Sequence, residues 1–307
     1  MRIVVIGQAA FGKSVLETLV NNGEEVVGLF CPPDREEGRP VDPIKAVAIE
    51  KGIPALQFKR MRDLEAIESF QGLGADLAVM AFVTDIVPME ILQAPKKGTI
   101  QYHPSLLPKH RGPSSINWPI IQGETKTGLT IFWPDDGLDT GPVLVQKETD
   151  IGPDDTLGSV YFDRLFPMGV EAVVEAVKMV HAGEAPRIEQ DHSQATYEGW
   201  CKKDDVVIDW GDPITEVYNL IRGSDPSPGA NTILDGERVS FYSAQRRDRD
   251  TGVPSGQVVE VTEHGFTVAA NGGSIIVRRV QPSGEKKMPA KQWADNVGLV
   301  QGAQLGE

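Results

Sequence analysis

A chain of 307 residues with ordinary apolar content has room for two domains, each with its own core. Its 44 acidic against 30 basic side chains give a net charge of −14, which argues against a broad surface for nucleic acid or another polyanion. No apolar run is long enough to span a bilayer and no signal peptide is visible, so the two distant cysteines, Cys31 and Cys201, are expected as reduced thiols of a cytoplasmic protein, with no metal site and no membrane partner.

Arg2 to Gly7 predicts a buried strand, Phe11 to Asn21 an amphipathic helix stopped by Asn22-Gly23, and Glu25 to Cys31 a second strand. Strand, turn, helix and strand make a βαβ unit. In the turn Gly7-Gln8-Ala9-Ala10-Phe11-Gly12, Ala9 stands where a dinucleotide site needs its second glycine. The turn therefore reads as a tight strand-to-helix connection, and an NAD(P)-dependent oxidoreductase is the disfavoured rival. Pro32 to Pro43 predicts an exposed, mobile loop. A helix is expected over 43–51, a strand over 54–58, a helix over 60–71 and a central strand over 75–81. The loop Phe82 to Pro88 follows that strand, and ligands of open parallel sheets bind beyond the carboxyl ends of strands.

Thr99 to His103 alternates as a strand and is stopped by Pro104 and Pro108. Gln101 and His103 are two apart and share a sheet face. A short helix is expected over 116–121, capped by Ser114 or Ser115, then a strand over 129–133 that runs into the acidic, glycine-punctuated loop carrying Asp139. Val143 to Ile151 predicts a strand. A helix starts at Thr156 with Asp154 or Asp155 as its cap, breaks at Pro167, and is followed by another from Gly169 to Ala182. Gly183 to Gln194 is polar and irregular and reads as a linker. Beyond Asp205 one helix, 213–221, precedes short strands near 231–234, 238–244, 256–261, 265–270 and 274–280, a spacing that predicts a small barrel of the OB type. The runs Arg246-Arg247-Asp248-Arg249, Arg278-Arg279 and Lys286-Lys287 read as solvated faces. A non-catalytic RNA-binding protein would need a more basic surface.

His103-Pro104-Ser105-Leu106-Leu107-Pro108-Lys109-His110-Arg111-Gly112 together with Leu138-Asp139-Thr140-Gly141 resembles the formyltransferase superfamily that uses 10-formyltetrahydrofolate. The preceding Tyr102, the loop Phe132-Trp133-Pro134-Asp135-Asp136-Gly137 and the segment Thr196-Tyr197-Glu198-Gly199 are most like the N-terminal hydrolase domain of 10-formyltetrahydrofolate dehydrogenase. The chain is also similar to methionyl-tRNA formyltransferase. The resemblance implies an α/β fold with a Rossmann-like catalytic domain (1–182), a linker (183–204) and a smaller OB-like domain (205–307). It implies an enzyme that takes 10-formyltetrahydrofolate, leaves tetrahydrofolate and needs no metal. The carrier and aldehyde-dehydrogenase modules are not in the sequence, so the chain is not expected to oxidise the formyl carbon itself.

A formyl group on a nitrogen is an amide, and moving it requires attack at carbon, support for an oxyanion and a proton for the leaving nitrogen. A His held by an Asp suits that work, so His103 and Asp139 are the expected catalytic pair. Most of the superfamily has Asn where this chain has Gln101; that departure favours hydrolysis over transfer to an amine acceptor, and Gln101 is the third expected catalytic residue. The resemblance further implies that Asp85, Ile86 and Val87 contact the folate pterin through backbone groups, and that Asp139 also meets the substrate. His110 and Arg111 read as surface polar residues, with folate-glutamate contact or loop anchoring as the alternative.

Overall fold

The computed structural model describes residues 1–34 and 40–306, so the expected mobile loop over 32–43 lies partly outside the described residues. The described chain forms two compact units. The first takes Met1–Gly112, Gly128–Thr149 and Arg164–Tyr197; the second takes Pro113–Thr127, Asp150–Asp163 and the chain from Glu198 onward. The units are thus built from alternating segments, unlike the three consecutive spans expected from the sequence.

The first unit begins with β1 (Arg2–Gly7), α1 (Ala9–Asn21), β2 (Glu25–Cys31), α2 (Pro43–Glu50), β3 (Ala55–Gln57), α3 (Leu64–Gly72), β4 (Leu77–Ala81), α4 (Met89–Leu92) and β5 (Thr99–His103). After α5 (Asn117–Ile121) come β6 (Lys126–Phe132) and β7 (Val143–Asp150), and the seven strands line up as β3-β2-β1-β4-β5-β6-β7. The pairings from β3 to β5 are parallel. β6 runs antiparallel to β5.

Alternation along the strands divides the core. Ile3 and Val5 of β1 join Ile100 and Tyr102 of β5 against Phe11, Val15 and Leu16 of α1, whereas Val4 and Ile6 join Phe30, Phe70 and Ile91 on the other face. Tyr102 stacks on Phe11 with ring centroids 4.2 Å apart. A side chain on Gly169 would come within 2.6 Å of the Tyr102 ring and 2.9 Å of Phe11, so α7 (Phe166–Ala182) can lie over this stack only through a glycine. Anchoring Tyr102 to one face turns Gln101 and His103 to the other.

The tight turn after β1 has its own anchor. Asp42 caps α2 by accepting the Ile44 N–H (3.0 Å), and both of its carboxylate oxygens accept the Ala9 N–H at the start of α1 (2.9 and 3.1 Å). Thr156, not Asp154 or Asp155, caps α6 (Leu157–Ser159); Asp155 instead accepts the Ser159 hydroxyl (2.8 Å) and the Gly152 N–H (2.6 Å). A π-helical stretch, Val160–Leu165, precedes Pro167. A wide turn there suits a proline that has no N–H to give and would clash with the carbonyl four residues back.

The second unit holds α8 (Ile214–Gly223), β8 (Asn231–Leu234), β9 (Glu237–Arg247), β10 (Val258–Thr262), β11 (Gly265–Ala270), β12 (Gly273–Pro282), β13 (Met288–Pro289) and α9 (Ala290–Val297). Its strands run antiparallel in the order β10-β11-β12-β9-β8, with β13 on β12. The end strands of this sheet are β10 and β8, and the segment after α9 hydrogen-bonds to both, Gly302 to Val258 and Gly306 to Ile233 (each 2.8 Å). Trp210, Phe241, Phe266 and Trp293 fill its core. The helix α9 was not expected: its polar sequence inserts Ala290, Trp293 and Ala294, an i, i+3, i+4 set too short to stand out. Asn117 ties α5 to this unit by donating to the Gly223 (2.9 Å) and Ser227 (3.0 Å) carbonyls.

Gly7 ends β1 directly against the Ala81 carbonyl, where an added methyl group would collide with backbone. We expect Gly7→Ala to lower the urea midpoint by the equivalent of about 1–3 kcal/mol, the usual range for overpacking. Gly72→Ala, with nothing within 4 Å, should be neutral or mildly stabilising. Equal midpoints for Gly7→Ala and the wild type would contradict the close approach.

Candidate active site

Thr99, Gln101 and His103 occupy the face of β5 opposite the Phe11–Tyr102 stack, and across the ladder Gln101 pairs with Met80 and Phe132, His103 with Thr130. The loop after β5 folds back on itself. The Thr130 hydroxyl donates to the Ser105 carbonyl (2.7 Å) and accepts the Leu107 N–H (3.2 Å), while Gln146 donates to the Leu107 carbonyl (2.9 Å). The Ser105 hydroxyl closes the turn on the Lys109 carbonyl (2.7 Å).

The folded loop brings backbone groups to the His103 ring and to Asp139. His103 Nε2 lies 2.8 Å from the His110 carbonyl oxygen, and Nδ1 lies 3.6 Å from Asp139 Oδ2. A nitrogen that faces a carbonyl at hydrogen-bond distance must carry the proton, so the neutral ring is held as its Nε2–H tautomer with Nδ1 as the acceptor. When the ring is doubly protonated, Nδ1–H points toward the carboxylate. The Gly112 N–H donates to the same Asp139 oxygen at 2.8 Å. Both residues are 5% exposed, so a doubly protonated ring and the carboxylate attract each other with little screening by water. Asp139 itself has φ +57°, a left-handed conformation that Asp tolerates better than most residues.

Because β6 runs antiparallel to β5, the loop after β6 leaves the sheet toward the start of β5 and folds back to bring Asp139 to His103. Asp139 comes from the loop after β6, whose start is braced by Asp135 accepting the Thr140 hydroxyl (2.6 Å) and the Gly137 N–H (3.1 Å). The loop after β4 extends the Met80–Gln101 register, so that Phe82, with φ +62°, follows the strand next to His103. Within it the Asp85 carboxylate accepts the Met61 N–H and the Ile86 N–H, each at 2.9 Å. Ile86 is 79% exposed, but Val87 is buried in the core beside α3 and α4. The Asp85 side chain thus braces this loop and Val87 packs, while Ile86 presents its side chain outward.

His110 and Arg111 are not surface residues. They are 3% and 8% exposed. The His110 N–H donates to the Thr196 hydroxyl (2.8 Å) and the Arg111 N–H to the Thr196 carbonyl (3.1 Å). Residues 186–197, read from the sequence as linker, belong to this site's unit. Trp133 donates to the Pro186 carbonyl (2.9 Å), and the Arg187 guanidinium lies 4.1 Å from the centre of its ring. Ile188 bridges Val143. The Thr-Tyr-Glu-Gly segment was the sequence signal for this docking, although its partners could not be read from spacing.

Comparison with known proteins fits this arrangement. A sequence profile of the formyl transferase family matches residues 1–177, and that of the formyl transferase C-terminal domain matches residues 201–297. The chain belongs to the formyl transferase family. It is 41% identical over 308 residues to the mitochondrial 10-formyltetrahydrofolate dehydrogenase of Mus musculus, covering 95% of this chain and 33% of that protein. It is 37% identical over 311 residues to the methionyl-tRNA formyltransferase of Geobacter sulfurreducens, covering 100% and 97%. The chain therefore spans about a third of the dehydrogenase and nearly all of the transferase. Among solved structures, HypX of Aquifex aeolicus in complex with tetrahydrofolic acid shares the fold (TM-score 0.72, 18% identity, 96% of this chain and 47% of that one). So does the sugar 3N-formyl transferase WlaRD (TM-score 0.69, 18% identity, 93% and 99%). Among the described residues, no group of three or more His, Cys, Asp or Glu could hold a metal ion, and no helix is long and apolar enough to cross a membrane.

The His110 carbonyl makes a spectroscopic prediction. In labelled protein the neutral His103 ring, assigned by its loss in His103→Gln, should show the ¹⁵N shifts of the Nε2–H tautomer. Nδ1–H shifts would contradict the geometry.

Proposed function

We propose that this chain takes the formyl group from 10-formyltetrahydrofolate and passes it to water, giving tetrahydrofolate and formate. The observation that carries the reading is the buried His103–Asp139 pair at the carboxyl end of β5, on the sheet face that Gln101 shares. Asp139 takes a proton from water as the water oxygen bonds to the formyl carbon, and the carbonyl electron pair moves onto oxygen. The Gln101 amide and His103, entering the reaction doubly protonated with its Nδ1–H free to donate, are the donors available to that oxyanion. When the oxyanion re-forms the carbonyl, the bond from carbon to N10 breaks and N10 takes the proton from His103 Nδ1. Asp139 returns its proton to Nδ1, and formic acid leaves as formate with one proton released to solvent. Phe82 and Ile86, 46% and 79% exposed beside this strand end, offer an apolar platform for a flat pterin ring.

Transfer to an amine is the second reading, favoured by the end-to-end match to the Geobacter transferase. An amine nitrogen would then take the place of water, with methionyl-tRNA or a small amine metabolite as acceptor. Against the nucleic acid, Arg246 pairs with Asp248 (3.0 Å) and Arg247 with Glu260 (3.5 Å), so these basic runs are partly neutralised. Against a nicotinamide enzyme, the Asp42 carboxylate occupies the Ala9 N–H at the head of α1, where a dinucleotide phosphate would need to bind. Burial pushes both thiols, Cys31 and Cys201, up to about 11, which suits unreactive cysteines of a cytoplasmic protein.

Incubation with 10-formyltetrahydrofolate, with and without candidate amines, tests the choice. Hydrolysis predicts equal amounts of formate and tetrahydrofolate without any amine. Tetrahydrofolate that appears only with a formylated amine would replace hydrolysis by transfer. For either reaction, His103→Ala and Asp139→Asn should each lower turnover at least ~100-fold. Gln101→Ala should lower kcat by up to ~100-fold with little change in KM, and Gln101→Asn should retain well above the Ala variant's activity. Near-normal turnover in folded His103→Ala would remove the assignment.

A further inference from the structure

The loop that carries Asp139 turns two carbonyls inward, those of Asp139 and Gly141, and one side chain meets both. The Gln190 amide nitrogen donates to the Asp139 carbonyl at 2.9 Å and to the Gly141 carbonyl at 2.7 Å, using both of its hydrogens. Its oxygen accepts from the Arg111 guanidinium, Nη2 at 2.7 Å and Nε at 3.3 Å. Gln190 is 6% exposed, so these bonds form out of water.

Arg111 lies between two residues that hold the pair. One position before it, the His110 carbonyl accepts His103 Nε2; one position after it, the Gly112 N–H donates to Asp139 Oδ2. The contacts close a ring: Asp139 main chain, Gln190, Arg111, Gly112, Asp139 carboxylate. The ring fixes Asp139 at both ends and, through residue 110, the His103 ring as well.

The chemistry of the ring favours a positioning role over a stabilising one. The side-chain partners of the buried guanidinium are Gln190 and His192 Nδ1 (2.9 Å), neither of them a carboxylate. A buried cation held by uncharged groups is costly relative to an apolar filling of the same volume. The planar fork of Arg meets Gln190 Oε1 through two nitrogens, which the single ammonium of Lys cannot reproduce. Glu in place of Gln190 would pair with Arg111 but lose both donors to the Asp139 and Gly141 carbonyls.

We propose that Gln190, acting with Arg111, is a positioning residue that sets the separation and orientation of His103 and Asp139. The proposal rests on the reading that this pair carries the reaction.

The test is a double-mutant cycle of Gln190→Ala with Asp139→Asn, using product formation from 10-formyltetrahydrofolate, together with the ¹⁵N signature of the His103 ring. In the full-length chain Gln190→Ala should lower kcat by ~10–100-fold and change KM by less than ~3-fold. Added to Asp139→Asn, it should cost less than ~3-fold more, because there is no longer a carboxylate to position. The His103 ring shifts should move in Gln190→Ala, and in the near-isosteric Gln190→Glu if the alanine variant does not fold. Fully additive losses, an unchanged kcat, or an unchanged His103 signature in the folded variant would overturn the proposal. Wild-type turnover in Asp139→Asn alone would instead strike the catalytic assignment; the His103 signature would still decide whether Gln190 governs the geometry.

Discussion

A carboxylate buried to 5% exposure needs donors, and Asp139 accepts the Gly112 N–H at 2.8 Å with His103 Nδ1 3.6 Å away, placed to donate when the ring is doubly protonated. That requirement organises the end of the sheet. Gly112 reaches the carboxylate because the loop after β5 closes on Thr130, Gln146 and Thr196. The carboxylate faces Gly112 because Asp139 adopts a left-handed backbone. His103 is aimed at it because Nε2 is taken by the His110 carbonyl. Each contact alone is ordinary; together they leave one ring nitrogen and one carboxylate as the groups able to exchange protons with a ligand.

The sheet supplies the platform on which this happens. Tyr102, stacked on Phe11 and roofed by Gly169, holds β5 with one face in the core and the other toward the pair. Such a stack contributes about 0.5–1.5 kcal/mol beyond the area it buries. Its larger consequence is register, since a slip of one residue would turn His103 away from Asp139 and take Tyr102 out of its stack on Phe11. The first βα turn, which in nucleotide-binding relatives of this topology cradles a phosphate, is closed off here by Asp42.

Much of this was legible in the sequence. β1, β2, β8 and β11 fall on the spans that alternation and turn signals predict, and Gln101 and His103 share a face as the two-residue period requires. The pairing of His103 with Asp139 came from two motifs far apart in the chain, and the structure brings them to 3.6 Å. What escaped has a common physical cause. Gln190, Arg111 and Thr196 act through hydrogen bonds between groups far apart in the chain, and such bonds leave no periodicity in a sequence. Gly183 to Gln194 is polar and aperiodic, so it read as linker, although part of it pairs with β7 and braces the Asp139 loop. The helix α9 escaped because its buried stripe is three residues long. The antiparallel entry of β6 is a matter of tertiary path, which strand patterning does not carry.

A structure of the chain with a non-hydrolysable 10-formyltetrahydrofolate analogue bound would test the central claim most directly. The account predicts N10 and the formyl carbon within about 3–4 Å of His103 Nδ1 and of the Asp139 carboxylate, the separation of a near-attack arrangement. It also predicts the pterin against Phe82 and Ile86. A folate bound away from β5, with the His103–Asp139 pair out of reach of the formyl group, would contradict it.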